Sequence, residues 1–149
     1  MAKKYHKVIP AVYILLRRDN EILLLKRANT GYQDGKYSFP AGHMDGGELA
    51  KSAILREAAE EVNVKIKEKD LKFVHFTHRL NGGIEHERTD LFFEAWKWSG
   101  EIKNNEPDKC TDVRWFNVNN LPKTIIPYIR IVLEKVLAGE YYSEYTIEP

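Results

Sequence analysis

Cysteine is almost absent from this chain: Cys110 stands alone among 149 residues. No internal disulfide can form, which suits a reducing compartment. Long apolar runs are missing too. The stretch Val8 to Leu16 is interrupted by Pro10 and followed by the charged segment Arg17-Arg18-Asp19-Asn20-Glu21. It is well short of the roughly 20 residues that a spanning helix needs, and no small-residue cleavage site marks a secretion signal. The chain is therefore read as cytoplasmic, with no membrane partner. Charge of one sign is not in excess either, since 23 basic and 22 acidic residues leave a formal +1. Without a basic field, nucleic acid is not expected as a partner. Repeats, low-complexity segments and linkers are also lacking. The length suits one domain, able to bury about 68–70% of the surface its unfolded chain exposes.

What is present begins with two apolar runs, Val8–Leu16 and Glu21–Arg27, separated by Arg18-Asp19-Asn20-Glu21. The first is apolar on both alternating faces, as in a strand covered on both sides, and the pair reads as a hairpin. A polar loop, 29–36, leads to the short strand Tyr37-Ser38-Phe39, which Pro40 stops. Val64–Ile66 reads as a short extended piece. Phe73–Leu80 and Arg88–Trp98 read as strands joined through Asn81-Gly82-Gly83. Thr111–Val118 is another strand. Ile125, Ile129, Val132, Leu133 and Val136 then mark an amphipathic helix ended by Gly139. The tail from Tyr141 shows no pattern. Strands and helices in this mixture predict an α/β fold, a mixed sheet with helices on both faces.

The chemistry is concentrated between Gly42 and Val64, GHMDGGELAKSAILREAAEEVNV. A glycine-containing loop opens it, and the rest has the periodicity of a helix. Glu57, Glu60 and Glu61 crowd within about a third of the helix circumference, while Leu55, Ala58, Ala59 and Val62 form the opposite, core-facing stripe. Like charges at i and i+4 cost about 0.2–0.5 kcal/mol. Carboxylates gathered so are suited to a hard divalent cation, and Mg2+ takes a few carboxylates together with water and substrate phosphates. A merely solvated acidic helix would need neither the glycine loop nor Glu48 and Arg56 at their spacings.

Gly42, Glu48, Arg56-Glu57-Ala58, Glu60-Glu61 and Val64 resemble the Nudix box, G-x5-E-x7-R-E-U-x-E-E-x-G-U, with U an apolar residue. One fixed position departs, Asn63 standing where the family has glycine. Asn is the next most tolerant residue of the left-handed conformation that ends helices. The resemblance implies an α/β/α sandwich and a Mg2+-dependent (or Mn2+-dependent) pyrophosphohydrolase of the MutT-like kind. It implies metal ligation by Glu57 and Glu61, with Glu60 as a further ligand or as the group orienting the attacking water. A backbone carbonyl at Ala41 or Gly42 completes the shell. Glu48 and Arg56 pair to hold loop against helix, and Gly42, Gly46 and Gly47 let the loop pass close to ions and phosphates. Arg56, Glu60 and a distant loop acid, Glu106 with Asp108 as fallback, form the expected catalytic set. Arg27, at the end of the second strand, would meet a phosphate.

Substrate selection is read from residues flanking the box. Tyr37, Phe39, His78 and Asp90 are the expected base-recognition groups, with Tyr32 and Arg88 beside them. His43 has no assigned role, His75 and His78 fall on opposite strand faces, and Cys110 is read as a small buried residue. The expected reaction takes a nucleoside triphosphate, for example an oxidised purine nucleotide, to monophosphate and pyrophosphate. The alternatives are ADP-ribose, a nucleotide sugar or a dinucleoside polyphosphate as substrate, or a non-catalytic nucleotide sensor. The partner is thus a nucleotide, with a homodimer as the assembly to test.

Overall fold

A computed structural model describes residues 2–82 and 86–147. Eight strands and two helices follow one another among the described residues. They are β1 (Ile9–Arg18), β2 (Glu21–Arg27), β3 (Tyr37–Ser38), β4 (Ala41–His43), α1 (Ala50–Val62), β5 (Lys72–Asn81), β6 (Arg88–Ala95), β7 (Cys110–Asn117), α2 (Pro127–Leu137) and β8 (Tyr142–Ile147). A 3-10 turn, Glu68–Asp70, precedes β5. The main sheet path runs β3-β2-β1-β6-β5-β8, with β4 added on β1 and β7 on β2. The β1–β6 and β5–β8 pairings are parallel and the other strand pairings are antiparallel.

The alternation within β1 decides the layering. Val12, Ile14 and Leu16 pack with Leu23 and Leu25 against Ala53, Ile54, Ala58 and Val62 of α1. Leu15 packs with Ile22, Leu24 and Phe92 against Ile129, Val132 and Leu133 of α2. Both faces of the strand are covered, and the molecule is the α/β/α sandwich anticipated from the pattern. Among the described residues, no helix is long and apolar enough to cross a membrane.

The β1–β2 hairpin turns through Asp19, whose φ is +47°. The β5–β6 hairpin is present, while Gly83 of its expected turn lies outside the described residues. Three elements differ from the sequence reading. β4 extends the short-strand region past Pro40, because Ala41–His43 pairs with Ala11–Tyr13. β6 stops at Ala95 rather than Trp98, where the chain turns so that Ser99 bridges Lys65. The tail forms β8, closing the edge of β5.

Helix α1 has no side-chain cap at Leu49 and no acid in its first turn. Its C-terminus is tied down by neighbouring backbone. Asn63 adopts φ +64° and closes on Ala58 and Ala59, while the Lys103 and Asn105 amides donate to the Val62 and Glu61 carbonyls. Helix ends leave such carbonyls without internal partners. Satisfying them here fixes the 100–109 loop beside α1.

Candidate active site

The acidic face of α1 meets the β4 end of the sheet along a cavity of about 660 Å3. Glu57, Glu60, Glu61 and Glu106 line it together. Glu106 arrives from the pinned 100–109 loop, where its amide donates to Asn104 Oδ1 (3.0 Å). Asp108, the fallback, is exposed and does not line the cavity.

Gly42 has a direct reason to lack a side chain. A Cβ there would overlap the Glu57 carboxylate, which rests against the glycine backbone. Glu61 Oε2 accepts the Ala41 amide at 3.0 Å, so Ala41 contacts this acid through its N–H. Arg56 is the hub of the loop. Its Nε and Nη2 donate to both oxygens of Glu48, at 2.8 and 2.9 Å, and Nη1 donates to Glu57 (2.8 Å) and Glu60 (3.3 Å). A planar guanidinium matched to a carboxylate in this two-point manner fixes geometry as well as charge.

The electrostatics divide the acids into two kinds. Hydrogen bonding to Arg56 pulls Glu48 down to about 2. Burial raises Glu57 despite its contact with Arg56. Burial, then repulsion from Glu57, lifts Glu61 well above the ordinary carboxylate range. Crowded acids with too little compensating charge are the setting in which a cation binds with a gain. Among the described residues, no three His, Cys, Asp or Glu side chains form a ready-made ion cage. Glu57 is held by Arg56 and Glu61 by Ala41, so the donors are adjacent but committed elsewhere. The donor set, all carboxylate, suits a hard cation, and the glycine seat under Glu57 keeps it close.

Cationic and aromatic side chains line the cavity as well. Arg27 lines it, donating to the Tyr32 carbonyl (2.8 Å) and to Thr30 (3.1 Å). Tyr32 also lines it, and the Arg27 guanidinium lies 5.5 Å from its ring centre. Several expected base-recognition residues are placed differently. Phe39 is 1% exposed within the core under α2, and Tyr37 is buried with its hydroxyl on Asp112. Neither lines the cavity, because the two side chains, two residues apart in and just past β3, both turn into the core. His78 lies outside the cavity too, 3.6 Å from Glu87. Asp90 is fully buried and not open to the cavity; it accepts from Tyr128 (2.6 Å) and pairs with Arg79 (3.0 Å).

The sequence reading passed over Tyr13, Arg79, Lys109 and Tyr128, which also line the cavity. A usable signal existed for Arg79. It shares a strand face with buried Thr77, and its acid partner Asp90 sits on the next strand, two residues along from its cross-strand neighbour. Tyr128 could have been found as the one polar-tipped residue in the apolar stripe of α2.

Comparison with known proteins bears on the same residues. The NUDIX domain model matches residues 7–136. A NAD-capped RNA hydrolase NudC from Pseudomonas putida is 33% identical over 125 residues, covering 80% of this chain and 40% of that protein. An ADP-ribose pyrophosphatase from Methanocaldococcus jannaschii is 30% identical over 135 residues, covering 87% of this chain and 76% of the relative. The chain thus spans about two fifths of the length of the NudC relatives it matches. Among solved structures, a MutT NUDIX hydrolase from Burkholderia pseudomallei superposes with a TM-score of 0.80 at 25% identity, covering 87% of this chain and 98% of that one. A MutT protein from Bacillus halodurans superposes with a TM-score of 0.78 at 16% identity, covering 95% and 92%, and shares the fold. With the box carboxylates lining one cavity and the family model spanning most of the chain, the chain belongs to the Nudix family.

Proposed function

We propose that this chain is a divalent-metal-dependent pyrophosphohydrolase acting on a nucleoside diphosphate linked to a group X, with nucleoside triphosphates the first substrates to test. The observation that carries this reading is the mixed charge of one cavity. Four carboxylates line it, one of them seated on a glycine, together with Arg27, Arg79, Arg88 and Lys109.

A phosphoanhydride repels nucleophiles because its oxygens share negative charge, so catalysis consists of positioning and charge neutralisation. Glu57, Glu60 and Glu61 would hold Mg2+ or Mn2+, with the backbone at Ala41 beside them. The bound ion would neutralise phosphate charge and lower the pKa of coordinated water. Arg56, tied to Glu48, sets the rotamers of Glu57 and Glu60. Glu106 faces the same space from the loop and is the group assigned to accept a proton from the attacking water. Water adds to phosphorus, the bridging P–O bond breaks, and the leaving phosphate departs with its electron pair. Arg27, which lines the same cavity, would meet a phosphate oxygen.

A second reading, cleavage of the diphosphate in NAD-like or ADP-ribose-like compounds, including such a group at an RNA end, draws support from what the two relatives are named for. The near-neutral charge of the chain favours small nucleotides over a long polyanion. The test is turnover with Mg2+ across nucleoside triphosphates, ADP-ribose, NAD, nucleotide sugars and a capped RNA, with products identified. Hydrolysis at a diphosphate bond, abolished by EDTA and reduced on the order of 100-fold or more in Glu57→Gln and Glu61→Gln, is expected. Specific binding with no turnover of any compound would instead make the chain a nucleotide sensor.

A further inference from the structure

Arg79 on β5 and Arg88 on β6 are direct cross-strand partners, and both line the cavity. Directly opposed residues on adjacent strands share one face, with Cβ atoms about 4.5–5.5 Å apart, and like charges so placed are destabilising. The fold compensates only one of them. Arg79, 3% exposed, pairs with Asp90 at 3.0 Å and lies over the Tyr128 ring at 4.5 Å. For Arg88, no carboxylate partner occurs among the described residues. Its Nη1 instead donates to His43 Nε2 at 2.8 Å, and its Nε, like that of Arg79, is buried with no hydrogen-bond partner.

The groups around this pair are donors. Arg79 donates to the hydroxyls of Tyr32 (3.2 Å) and Tyr13 (3.4 Å), leaving each phenolic proton free to be given to a ligand. Asp90, the acid paired with Arg79, does not line the cavity and already accepts from Tyr128. A wall of guanidinium and phenol donors, carrying one positive charge that no described acid neutralises, recognises an acceptor-rich anion. Neutral acceptors such as a base carbonyl would satisfy the hydrogen bonds but leave the second arginine's charge unmatched.

We propose that Arg79, Arg88 and the Tyr13 and Tyr32 hydroxyls form a binding site for a phosphate group of the substrate additional to the diphosphate that is cleaved. As a statement about substrate, this rests on the proposed hydrolase reading. It makes the preferred substrate one whose X or ribose bears its own phosphate.

Two measurements test it. The first is titration of the metal-free protein with inorganic phosphate in EDTA, following arginine Nε–H resonances by NMR, with Arg88→Gln used to assign one of them. Phosphate is repelled by the carboxylates, so the resonances of Arg79 and Arg88 should move saturably while those of Arg17 and Arg114, which do not line the cavity, stay still. The second is kcat/KM with Mg2+ on compounds differing by one phosphate, NAD against NADP and ADP-ribose against its 2′-phosphate. The phosphorylated member should be preferred about tenfold or more. That ratio should fall to near one in Arg88→Gln and be partly retained in Arg88→Lys, with circular dichroism confirming the fold of each variant. No saturable shift, or a ratio near one in the unmodified protein, overturns the proposal while leaving hydrolase activity intact. A saturable shift with no turnover of any compound keeps the anion site and removes the hydrolase reading instead.

Discussion

Gly42 shows how one residue ties loop to chemistry. Its hydrogen leaves room for the Glu57 carboxylate, and a methyl group there would occupy that carboxylate's place. The displaced atoms are the end of a flexible side chain, so the fold can give way cheaply while the site cannot. Gly42→Ala should therefore leave the Tm nearly unchanged and lower kcat by about 10–100-fold, the range for groups that orient ligands, as thermal melts and steady-state rates would show. Glu61 offers a pH-dependent test. Its carboxyl is raised above its ordinary value of 4.5 by burial and by Glu57, so the native state takes up a proton more readily than the unfolded chain. The ionised form then weakens the fold at pH above the raised value, and the penalty fades as pH falls toward 4.5. Metal-free Glu61→Gln should melt higher than the unmodified protein at pH 7–8, with the difference shrinking toward pH 4.5, even though the same variant is expected to lose activity. Equal melting curves across that range would mean the carboxyl is solvated. At this scale the box residues could be read directly, because their spacing fixes which side chains share a helix face. Tyr13 could not, since a single polar-tipped residue in a strand gains its meaning only from the strand beside it.

Helix α1 is held by its surroundings rather than by its own ends. It lacks a side-chain N-cap and has neither acids in its first turn nor bases in its last. Its stability comes from Ala53, Ile54, Ala58 and Val62 in the core and from the 100–109 loop over its final carbonyls. Asn63 stands where that helix must end, in the left-handed conformation at φ +64°, and its Nδ2 donates to Glu101 O at 2.9 Å. Across from it, Gly100 adopts φ +91°, with a Cβ there falling 2.6 Å from the Asn63 carbonyl. Asn63→Ala loses the side-chain bond and forces a methyl-bearing residue into that conformation, at a cost of roughly 1–2 kcal/mol. Asn63→Gly loses the bond but relieves the backbone, so chemical denaturation should place it close to the unmodified protein. If both variants proved equally destabilised, the side-chain bond and not the backbone angle would be the reason for Asn. Most elements announced themselves by periodicity. β4 did not, since three residues after a proline show no period. They become a strand only because β1 offers them an unpaired edge.

Across the whole molecule, the two faces of the sheet divide the labour. The α1 side holds the box and the α2 side holds a buried polar belt. That belt joins the cavity wall to the end of the chain: Tyr128 reaches Asp90, and Tyr145 of β8 packs on Tyr128 with ring centres 5.1 Å apart. Beside them His75 bonds the Glu140 carbonyl through Nδ1 (2.8 Å) and Ser143 through Nε2 (2.7 Å), and Ser143 meets Thr77 at 2.9 Å. The tail had no legible pattern because its strand is an edge. Its residues alternate between solvent and a polar belt, so hydrophobic period gives no signal, and its partner β5 lies more than sixty residues earlier in the chain. Removing the Ser143 hydroxyl tests whether that belt stabilises the fold. Since the carbonyl of Glu140 can only accept, Nδ1 of His75 carries the proton and Nε2 accepts from Ser143. Ser143→Ala leaves Nε2 of a fully buried imidazole without a donor, and Thr77 without its side-chain partner on β8. An unsatisfied buried polar group costs about 1–3 kcal/mol. Near 150 residues this lowers the Tm by roughly 2–10 °C, while the rate measured well below the melting point should hold, because Ser143 does not line the cavity. Truncation after Glu140 should cost more, since it also uncovers the edge of β5 and the Tyr128 ring, and an uncovered strand edge invites pairing between chains. Light scattering on the truncated protein, compared with Ser143→Ala, separates the two effects: scattering from both would assign the loss to the polar belt, and scattering from the truncated chain alone assigns it to the open edge.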